Sequence, residues 1–285
     1  MRKLVAEVVR ASLAGSAQEL LRCDAMLRLD RGPDGVHGAR LAVRRMRSDL
    51  RSFEPFLEVP WAATLREEMR WLGDALGTVR DADILLARLE RDLDELPGPD
   101  RASAYLVLTS FRSARDDAYA QLGTILHEAR YAELLAKIVG AGRHPVLGAR
   151  AGESARDALA DVMRASWKRL RSSVRKRSRP PSDTELHEIR IRAKRVRYAA
   201  EAAEIACGKP AARFARRVKR LQNVLGEQHD AVATEAALRA LVGGPYALMA
   251  GALILVEAAC AAKARKRWHD AWRRINAPGA RFWER

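Results

Sequence analysis

The chain has 285 residues and a formal net charge of +16, with 48% hydrophobic and 31% charged side chains. This composition excludes a disordered polyelectrolyte and is typical of a folded globular protein, either one large domain or two of about 140 residues. Alanine, leucine, arginine and glutamate far outnumber strand-forming residues. We therefore expect an all-α fold with no sheet.

The excess positive charge lies entirely in the second half of the chain. Residues 1–149 carry 22 basic and 22 acidic side chains, whereas residues 150–285 carry 30 basic and 14 acidic ones. Such asymmetry is typical of proteins that bind a polyanion, although a basic surface can also be merely solvated. We expect the second half to contribute most of the binding.

Glycine and proline clusters divide the chain into helical segments. Between these clusters the apolar residues recur every three or four positions, which predicts about five helices in each half. In chain order the breaks are "GPDG" (32–35), "EVPW" (58–61), "LPGPD" (96–100), "GAGRHPVLG" (140–148), "RPPSD" (179–183), "CGKP" (207–210) and "VGGP" (242–245). Ser182, Asp183 or Thr184 is expected to cap the helix that begins near His187.

Two segments of the first half reappear in the second. "HGARLAVRRMRSDL" from His37 matches "HEIRIRAKRVRYAAE" from His187 at an offset of 150 residues. Further along, "LGDALGTVRDAD" from Leu72 matches "LQNVLGEQHDAV" from Leu221 at an offset of 149. Matching segments in the same order indicate an internal duplication. The "GAGRHPVLG" break then divides the chain into units 1–145 and 146–285.

The helices that begin near His37 and His187 each carry a cationic stripe. At 100° per residue, one stripe combines His37 with Arg40, Arg44, Arg47 and Arg51, and the other combines His187 with Arg190, Lys194 and Arg197. The expected core sides of the two helices are Ala39, Ala42, Val43, Met46, Leu50 and Phe53, and Ile189, Ala193, Val196 and Ala200. Solvated faces usually alternate acids with bases, and these stripes contain no acid. The pattern therefore favours phosphate binding over a solvated face, because arginine pairs with phosphate through two parallel hydrogen bonds.

Further basic residues share helix faces elsewhere in the chain. They are Arg164, Lys168, Arg171 and Arg175 on one helix, Lys219 and His229 on another, Arg70 and Arg80 at the matching positions of the first half, and Lys263, Lys266, Arg267 and Arg274 near the C-terminus. The C-terminal group is equally compatible with a solvated basic end. Gly73, Gly77 and Gly226 lie on the same faces and either admit an anion close to the backbone or serve helix packing. Asp81 and Asp230 are expected to orient the preceding cation or to cap a helix.

The four segments "HGARLAVRRMRSDL", "LGDALGTVRDADILL", "LHEIRIRAKRVRYAAE" and "LQNVLGEQHDAV" resemble the CHAD family, the conserved-histidine α-helical domain. The resemblance covers nearly the whole chain. It implies two pseudo-symmetric helical bundles that enclose a basic groove and bind inorganic polyphosphate without catalysis. The positions it implies for binding are His37, Arg40, Arg44, Arg47, His187, Arg190, Lys194, Arg197, Lys219 and His229. Arg80 stands where the second half has a histidine and remains cationic.

Two other functions stay open. The charge also permits RNA or DNA binding, although aromatic residues make up only 6% of the chain and single-strand recognition usually needs aromatic platforms. A metal-dependent phosphohydrolase of the His-Asp type is a weaker alternative, resting on His187, His229-Asp230 and His269-Asp270. Cationic surroundings would repel a divalent ion. We therefore expect no cofactor and no metal.

Neither the cysteines nor the apolar segments indicate an extracellular or membrane protein. Cys23, Cys207 and Cys260 lack the spacing of a disulfide framework or a zinc site, and each is expected to be a core residue. The N-terminus does not resemble a signal peptide. The apolar run "YALMAGALILVEAACAA" is interrupted by Glu257 and is short for a membrane span, so a buried core helix is expected. These features predict a cytoplasmic protein with no membrane partner, and the resemblance leaves an association with polyphosphate granules open.

Overall fold

The computed structural model describes residues 3–29, 33–96, 101–242, 244 and 246–284. Over these residues the chain forms nine α-helices and three short 3₁₀ helices, and its extended contacts are limited to two isolated β-bridges. The all-α prediction is confirmed. The helices are α1 (Val5–Leu29), α2 (Pro33–Ser52), α3 (Val59–Glu95), α4 (Arg101–His127), α5 (Ala129–Arg143), α6 (Ala155–Lys176), α7 (Asp183–Cys207), α8 (Lys209–Arg239) and α9 (Ala247–Asn276).

The two halves differ in helix number. The first contains α1 to α5, as expected, whereas the described part of the second contains four helices and not five. The physical reason is that residues 252–277 contain neither glycine nor proline, so α9 continues over 30 residues. The predicted breaks at 96–100 and 242–245 lie largely outside the described residues, whereas α5 ends at Arg143, within the predicted break between the halves.

Helix boundaries repeat along the chain at a constant spacing. The helices α1 and α6 begin at residues 5 and 155, α2 and α7 at 33 and 183, and α3 and α8 at 59 and 209. The starts of α1 and α6 are also joined by reciprocal backbone hydrogen bonds: Val5 N donates to Glu153 O and Ala155 N donates to Lys3 O, both at 3.0 Å. This reciprocity is what a two-fold relation between the halves would produce. It supports the duplication, which stays a prediction from the sequence match.

The cationic-stripe helices α2 and α7 pack against each other between the halves. Each also packs on its neighbours in the chain, α2 on α1 and α3, and α7 on α6 and α8. Their predicted core sides are confirmed, because all ten of those residues are buried. These ten side chains belong to one large hydrophobic cluster that contains residues of both halves, and a second, smaller cluster joins α3, α4, α8 and α9. Apolar burial therefore fixes which faces of α2 and α7 remain available for their cations.

The N-terminus of α7 is held by a capping box. The Ser182 hydroxyl accepts a hydrogen bond from Glu185 N at 3.2 Å, and the Glu185 carboxylate accepts one from Ser182 N at 2.7 Å. Among the three capping residues that the sequence allowed, Ser182 is the one used. The cap fixes the start of α7 one turn before His187, which sets the direction of the second cationic stripe.

The helix α9 departs from the expected buried core helix. Met249, Leu253 and Glu257 are buried, but Leu248 and Leu255 are 90% and 73% exposed. Only 33% of the most apolar 18-residue window of α9 is buried. Over the residues that the structure describes, α9 is the one helix that is long and apolar enough to cross a membrane. The prediction fails because hydropathy does not reveal that only one side of α9 finds a packing partner.

The cysteine prediction holds for one residue of three. Cys23 is fully buried in the main core, whereas Cys207 and Cys260 are half-buried, and all three are free thiols. Burial raises the pKa of the Cys207 thiol. Cys207 and Cys260 therefore lie at the edge of the core.

An ion pair buried in the fold joins α3 to α9. Arg88 donates two hydrogen bonds to the Glu257 carboxylate, whose side chain has no exposed surface. Burial raises the pKa of Glu257 to about 7 despite the guanidinium, and the nearby buried carboxyl of Asp92 adds to the rise. This pair is a strong polar link between the first half of the chain and the helix that ends the second.

Candidate functional site

A cavity of about 550 Å³ lies where helices of both halves meet. The helices α2, α3 and α4 line it from the first half, and α7 and α8 line it from the second. Seven basic side chains border it: His37, Arg40, Arg44, Arg80, Arg190, Lys194 and His229. The acidic residues of its lining are Asp81 and Asp230. All seven basic residues were predicted as binding residues, and the fold brings them together from positions up to 192 residues apart.

Asp81 and Asp230 face the arginines of the opposite helix. Arg40 Nη2 of α2 donates to Asp81 Oδ1 of α3 at 3.1 Å. In the second half, Arg190 Nη2 of α7 lies 4.0 Å from Asp230 Oδ1 of α8. Asp81 therefore pairs with Arg40 and not with the preceding Arg80, contrary to expectation, whereas the charge of Asp230 also acts on the preceding His229. The two carboxylates position arginines and neutralise only part of the basic lining.

Gly77 of α3 makes room for Arg40, whereas a β-carbon at Gly226 of α8 would make only an ordinary contact with Arg190. The Arg40 guanidinium lies so close to Gly77 that a β-carbon at this position would overlap it. The Arg190 Nε atom lies 3.7 Å from where a β-carbon of Gly226 would be. This geometry favours the packing explanation of the glycine pattern over close approach of an anion to the backbone. An alanine at Gly77 would displace the guanidinium that Asp81 now holds.

Two arginines of the cavity keep a donor without an acceptor. The Nε atoms of Arg44 and Arg190 are buried and make no hydrogen bond with any described residue. Burial lowers the pKa of Arg190, and the guanidinium of Arg44 adds to this because like charges repel. Unpaired donors and crowded cations both cost free energy, and an anion in the cavity would relieve both.

Lys194 is the most strongly perturbed cation of the site. Burial lowers the pKa of its ammonium group to about 7, and the adjacent guanidinium groups of Arg190, Arg44 and Arg40 lower it further in that order of effect. No acidic side chain among the described residues forms an ion pair with it. Burial and the neighbouring guanidinium groups therefore disfavour positive charge at this amine, and a bound anion would favour it.

His187 and His229 contact each other at the edge of the cavity. Their Nδ1 atoms are 3.1 Å apart and their ring centroids 4.4 Å apart. Burial lowers the pKa of both imidazoles, with Arg190 the next largest cause for each. The corresponding place in the first half holds His37 and Arg80, and the pKa of His37 is lowered by burial and then by Arg80.

The ends of the two cationic stripes lie away from this cavity. Arg197 is only 9% exposed, pairs with Glu201 at 3.2 Å, and stacks over the Tyr198 ring at 4.4 Å. It lines a separate cavity of about 690 Å³ that also contains three glutamates. Arg47 packs near Gly73 and is half-buried, and Arg51 is exposed at the end of α2. None of these three arginines is among the residues that line the cavity between the halves.

The other predicted cations are also outside the cavity lining. Several are paired with acids on the same or a neighbouring helix: Arg70 with Glu67, Arg164 with Asp161, and Arg267 with Glu227 at 2.9 Å. Lys168, Arg171 and Lys219 are exposed on α6 and α8. The structure therefore divides the predicted binding set into seven residues that line the cavity, His187 beside them, and nine that lie elsewhere.

The apolar part of the cavity was not predicted from the sequence. Leu41, Ile84 and Leu85 contribute to its wall, and α4 adds Ala114 and Ala118. No signal marked α4 as a lining helix, because its charged segment "FRSARDD" mixes both signs and forms no cationic stripe. Among the tryptophans that lie near cations in the sequence, Trp167 and Trp268 are buried in the core. The described residues that line the cavity include no phenylalanine, tyrosine or tryptophan.

The residues of the phosphohydrolase alternative are not assembled into one site. His269 borders a different cavity, together with Trp268 and Arg177, whereas His187 contacts His229. Across the described ranges, no three histidine, cysteine or acidic side chains lie close enough together to hold a metal ion.

Fold and site together define an all-helical protein with a basic cavity between its two halves. The sequence model of the CHAD domain matches residues 11–239, so the chain belongs to the CHAD domain family. The uncharacterized protein Rv2226 of Mycobacterium tuberculosis is 28% identical over 283 residues. That alignment covers 95% of this chain and 53% of the relative, so the chain spans about half of the relative's length.

Two solved structures share the fold. PptA from Streptomyces chartreusis superposes with a TM-score of 0.80 at 21% identity, over 95% of this chain and 100% of that one. The CHAD domain from the plant Ricinus communis superposes with a TM-score of 0.71 at 22% identity, over 96% of this chain and 91% of that one. These likenesses show a common fold.

Proposed function

We propose that this protein binds inorganic polyphosphate, without catalysis, in the cavity between its two halves. One observation carries the proposal: seven basic side chains from α2, α3, α7 and α8 border a single cavity that contains only two carboxylates. Family membership supports it, since every residue that lines the cavity lies within residues 11–239, which match the CHAD domain model. The accumulation of unrelieved positive charge requires a ligand that carries many negative charges in a small volume.

The chemistry of the lining suits phosphate oxygens. Arginine offers planar pairs of donors, lysine offers a point charge, and protonated imidazole donates from both nitrogens. Single-stranded nucleic acid also carries phosphates, but its tight recognition usually adds stacking on aromatic side chains. The described lining offers apolar contacts from leucine, isoleucine and alanine and no such platform. These features favour polyphosphate over RNA or DNA as the ligand.

A salt titration tests the proposal. We expect the logarithm of the association constant for polyphosphate of defined length to fall linearly with the logarithm of salt concentration, because binding releases counterions from the polyanion. The measurement is fluorescence anisotropy of labelled polyphosphate, with sulfate and single-stranded RNA as competitors. Competition by RNA at a lower phosphate concentration than unlabelled polyphosphate would identify nucleic acid as the ligand instead.

The cellular setting follows from the ligand. We propose that the protein acts in the cytoplasm, where polyphosphate granules offer a concentrated source of the same polyanion. Fluorescence microscopy of the tagged chain, with a granule stain as the reference, tests this placement. A signal that remains diffuse in cells rich in granules would separate the binding activity from granule association.

A further inference from the structure

We propose that the His187–His229 pair links polyphosphate binding to proton uptake, so that affinity for the polyanion rises as the pH falls. This inference rests on the proposed function and names how the same site is regulated. It concerns the contact between two imidazoles, which lies in the second half, whereas the matching place in the first half combines His37 with Arg80. His37 lines the same cavity and stays unchanged in every variant below, so its own proton uptake is common to all of them. An arginine stays charged at every physiological pH, whereas a histidine pair does not.

The contact between the two imidazoles limits how many protons they hold. Their Nδ1 atoms are 3.1 Å apart, a distance at which one nitrogen donates and the other accepts. An accepting nitrogen carries no proton, so at least one of the two rings is neutral in this arrangement. Two imidazolium rings would direct two N–H groups at each other and break the hydrogen bond. In the absence of an anion, one ring nitrogen of the pair beside the cavity therefore carries no proton and can accept one.

The charges around the pair keep that nitrogen unprotonated in the absence of an anion. The charges that act on the imidazoles directly come from Glu188, Arg190 and Lys194 on α7 and from Asp230 on α8. Arg40 and Arg44 of α2 act on Arg190 and Lys194 beside the pair, and Asp81 of α3 acts on Arg190. Cations outnumber acids in this set, and the acids Asp81 and Asp230 are already engaged by arginines. Burial and then Arg190 lower the pKa of both imidazoles, and Lys194 adds to this, so the pair is largely neutral at pH 7.

A bound polyanion would shift the pKa of the imidazoles in the opposite direction. Phosphate oxygens in the cavity would lie beside His229, which lines it, and would raise the pKa of both imidazoles above the values of the empty site. Linkage then requires that protons strengthen anion binding by the same factor. Because the bound site has the higher pKa, affinity is greatest below the pKa of the empty site. It falls as pH rises through the empty-site pKa toward the bound-site pKa.

Lys194 can contribute to the same effect and needs a separate control. Its ammonium group lies in the cavity with a pKa lowered to about 7, so it also gains a proton when an anion binds. Lys194→Arg replaces it with a group that is always charged and leaves both histidines in place. His229→Arg reproduces in the second half the pairing that the first half already has. The two variants therefore separate the contribution of the His187–His229 pair to the pH dependence of binding from the contribution of Lys194.

The test is isothermal titration calorimetry with polyphosphate of defined length at several pH values between about 6 and about 8, in buffers of different ionisation enthalpy. We expect wild-type protein to take up protons on binding, with a change in Kd of up to about tenfold per pH unit for each linked proton. His229→Arg is expected to bind more tightly than wild type at about pH 8 and to lose part of the pH dependence. Lys194→Arg is expected to keep the part of the pH dependence that is caused by proton uptake at the histidines.

The outcomes distinguish this inference from the proposed function. Wild-type protein that binds polyphosphate with no proton uptake would overturn the linkage and leave the binding function intact. His229→Arg with an unchanged pH dependence would also overturn it. No binding at any pH would contradict the proposed function itself. Should His229→Arg fold poorly by circular dichroism, His187→Gln removes one of the two titrating imidazoles and is expected to reduce the pH dependence as well.

Discussion

Replacing Arg44, Arg190 and Lys194 together with glutamine is expected to weaken polyphosphate binding by about 100-fold or more, since each charge-assisted contact contributes about 1.5–3 kcal/mol. These three residues line the cavity, and the buried Nε–H groups of Arg44 and Arg190 have no acceptor among the described residues. Glutamine keeps a polar, hydrogen-bonding side chain, although a shorter one, and removes the charge. The loss is measured by anisotropy with labelled polyphosphate at fixed salt.

The matched control removes the same net charge from another surface. Lys168, Arg171 and Arg175 are exposed on α6 and do not line the cavity. Glutamine at these three positions is expected to change the affinity by less than about threefold, a general electrostatic effect that salt screens. Equal weakening in the two triple variants would show that binding depends on net charge and not on the cavity. Circular dichroism establishes that both variants remain helical.

Arg88→Met is expected to lower the free energy of unfolding by about 3–5 kcal/mol at pH values above 7, because it leaves a buried carboxylate without its partner. Glu257 has no exposed side-chain surface, and Arg88 is its hydrogen-bond donor. Below pH 7 the loss should shrink, since the Glu257 pKa is already raised to about 7 and an unpaired carboxyl can take up a proton. Urea denaturation at about pH 6 and about pH 8 measures the difference.

A double variant is the control for this second prediction. Glu257→Gln combined with Arg88→Met removes both charges, so the stability should recover in part and lose most of its dependence on pH. A partial recovery of stability would identify the unpaired Glu257 carboxylate, and not a packing defect, as the cause of the instability. A single Arg88→Met variant as stable as wild type at both pH values would contradict a structural role for the link between α3 and α9.

Local sequence pattern predicted the helical class and the core sides of α2 and α7. Apolar spacing and cationic stripes are properties of a single helix, so they can be obtained without knowing the tertiary fold. The spacing of 100° per residue also shows which stripe residues lie farthest from the stripe's centre. Arg47 and Arg197 lie about 80° from the histidine that begins each stripe, at its edge, and Arg51 lies about 20 Å farther along α2 than His37. The structure places all three outside the cavity lining.

Features that depend on packing between helices were not predictable. The basic face of α6 resembles the stripes of α2 and α7 in composition, but only the tertiary arrangement shows that α6 contributes nothing to the cavity lining. The pairing of Asp81 with Arg40 joins residues 41 positions apart on different helices. The exposed Leu248 and Leu255 of α9 have the hydropathy of core residues. Each of these features depends on how distant helices pack together, and the local sequence pattern of one helix does not contain that information.

The most direct test of the account is a crystal structure of this chain with a short polyphosphate of defined length. We expect a continuous row of phosphate density in the cavity between the halves, with oxygens in contact with Arg44, Arg190 and Lys194. Phosphate density confined to the outer surfaces of α6 or α9, with the cavity free of ligand, would contradict the account.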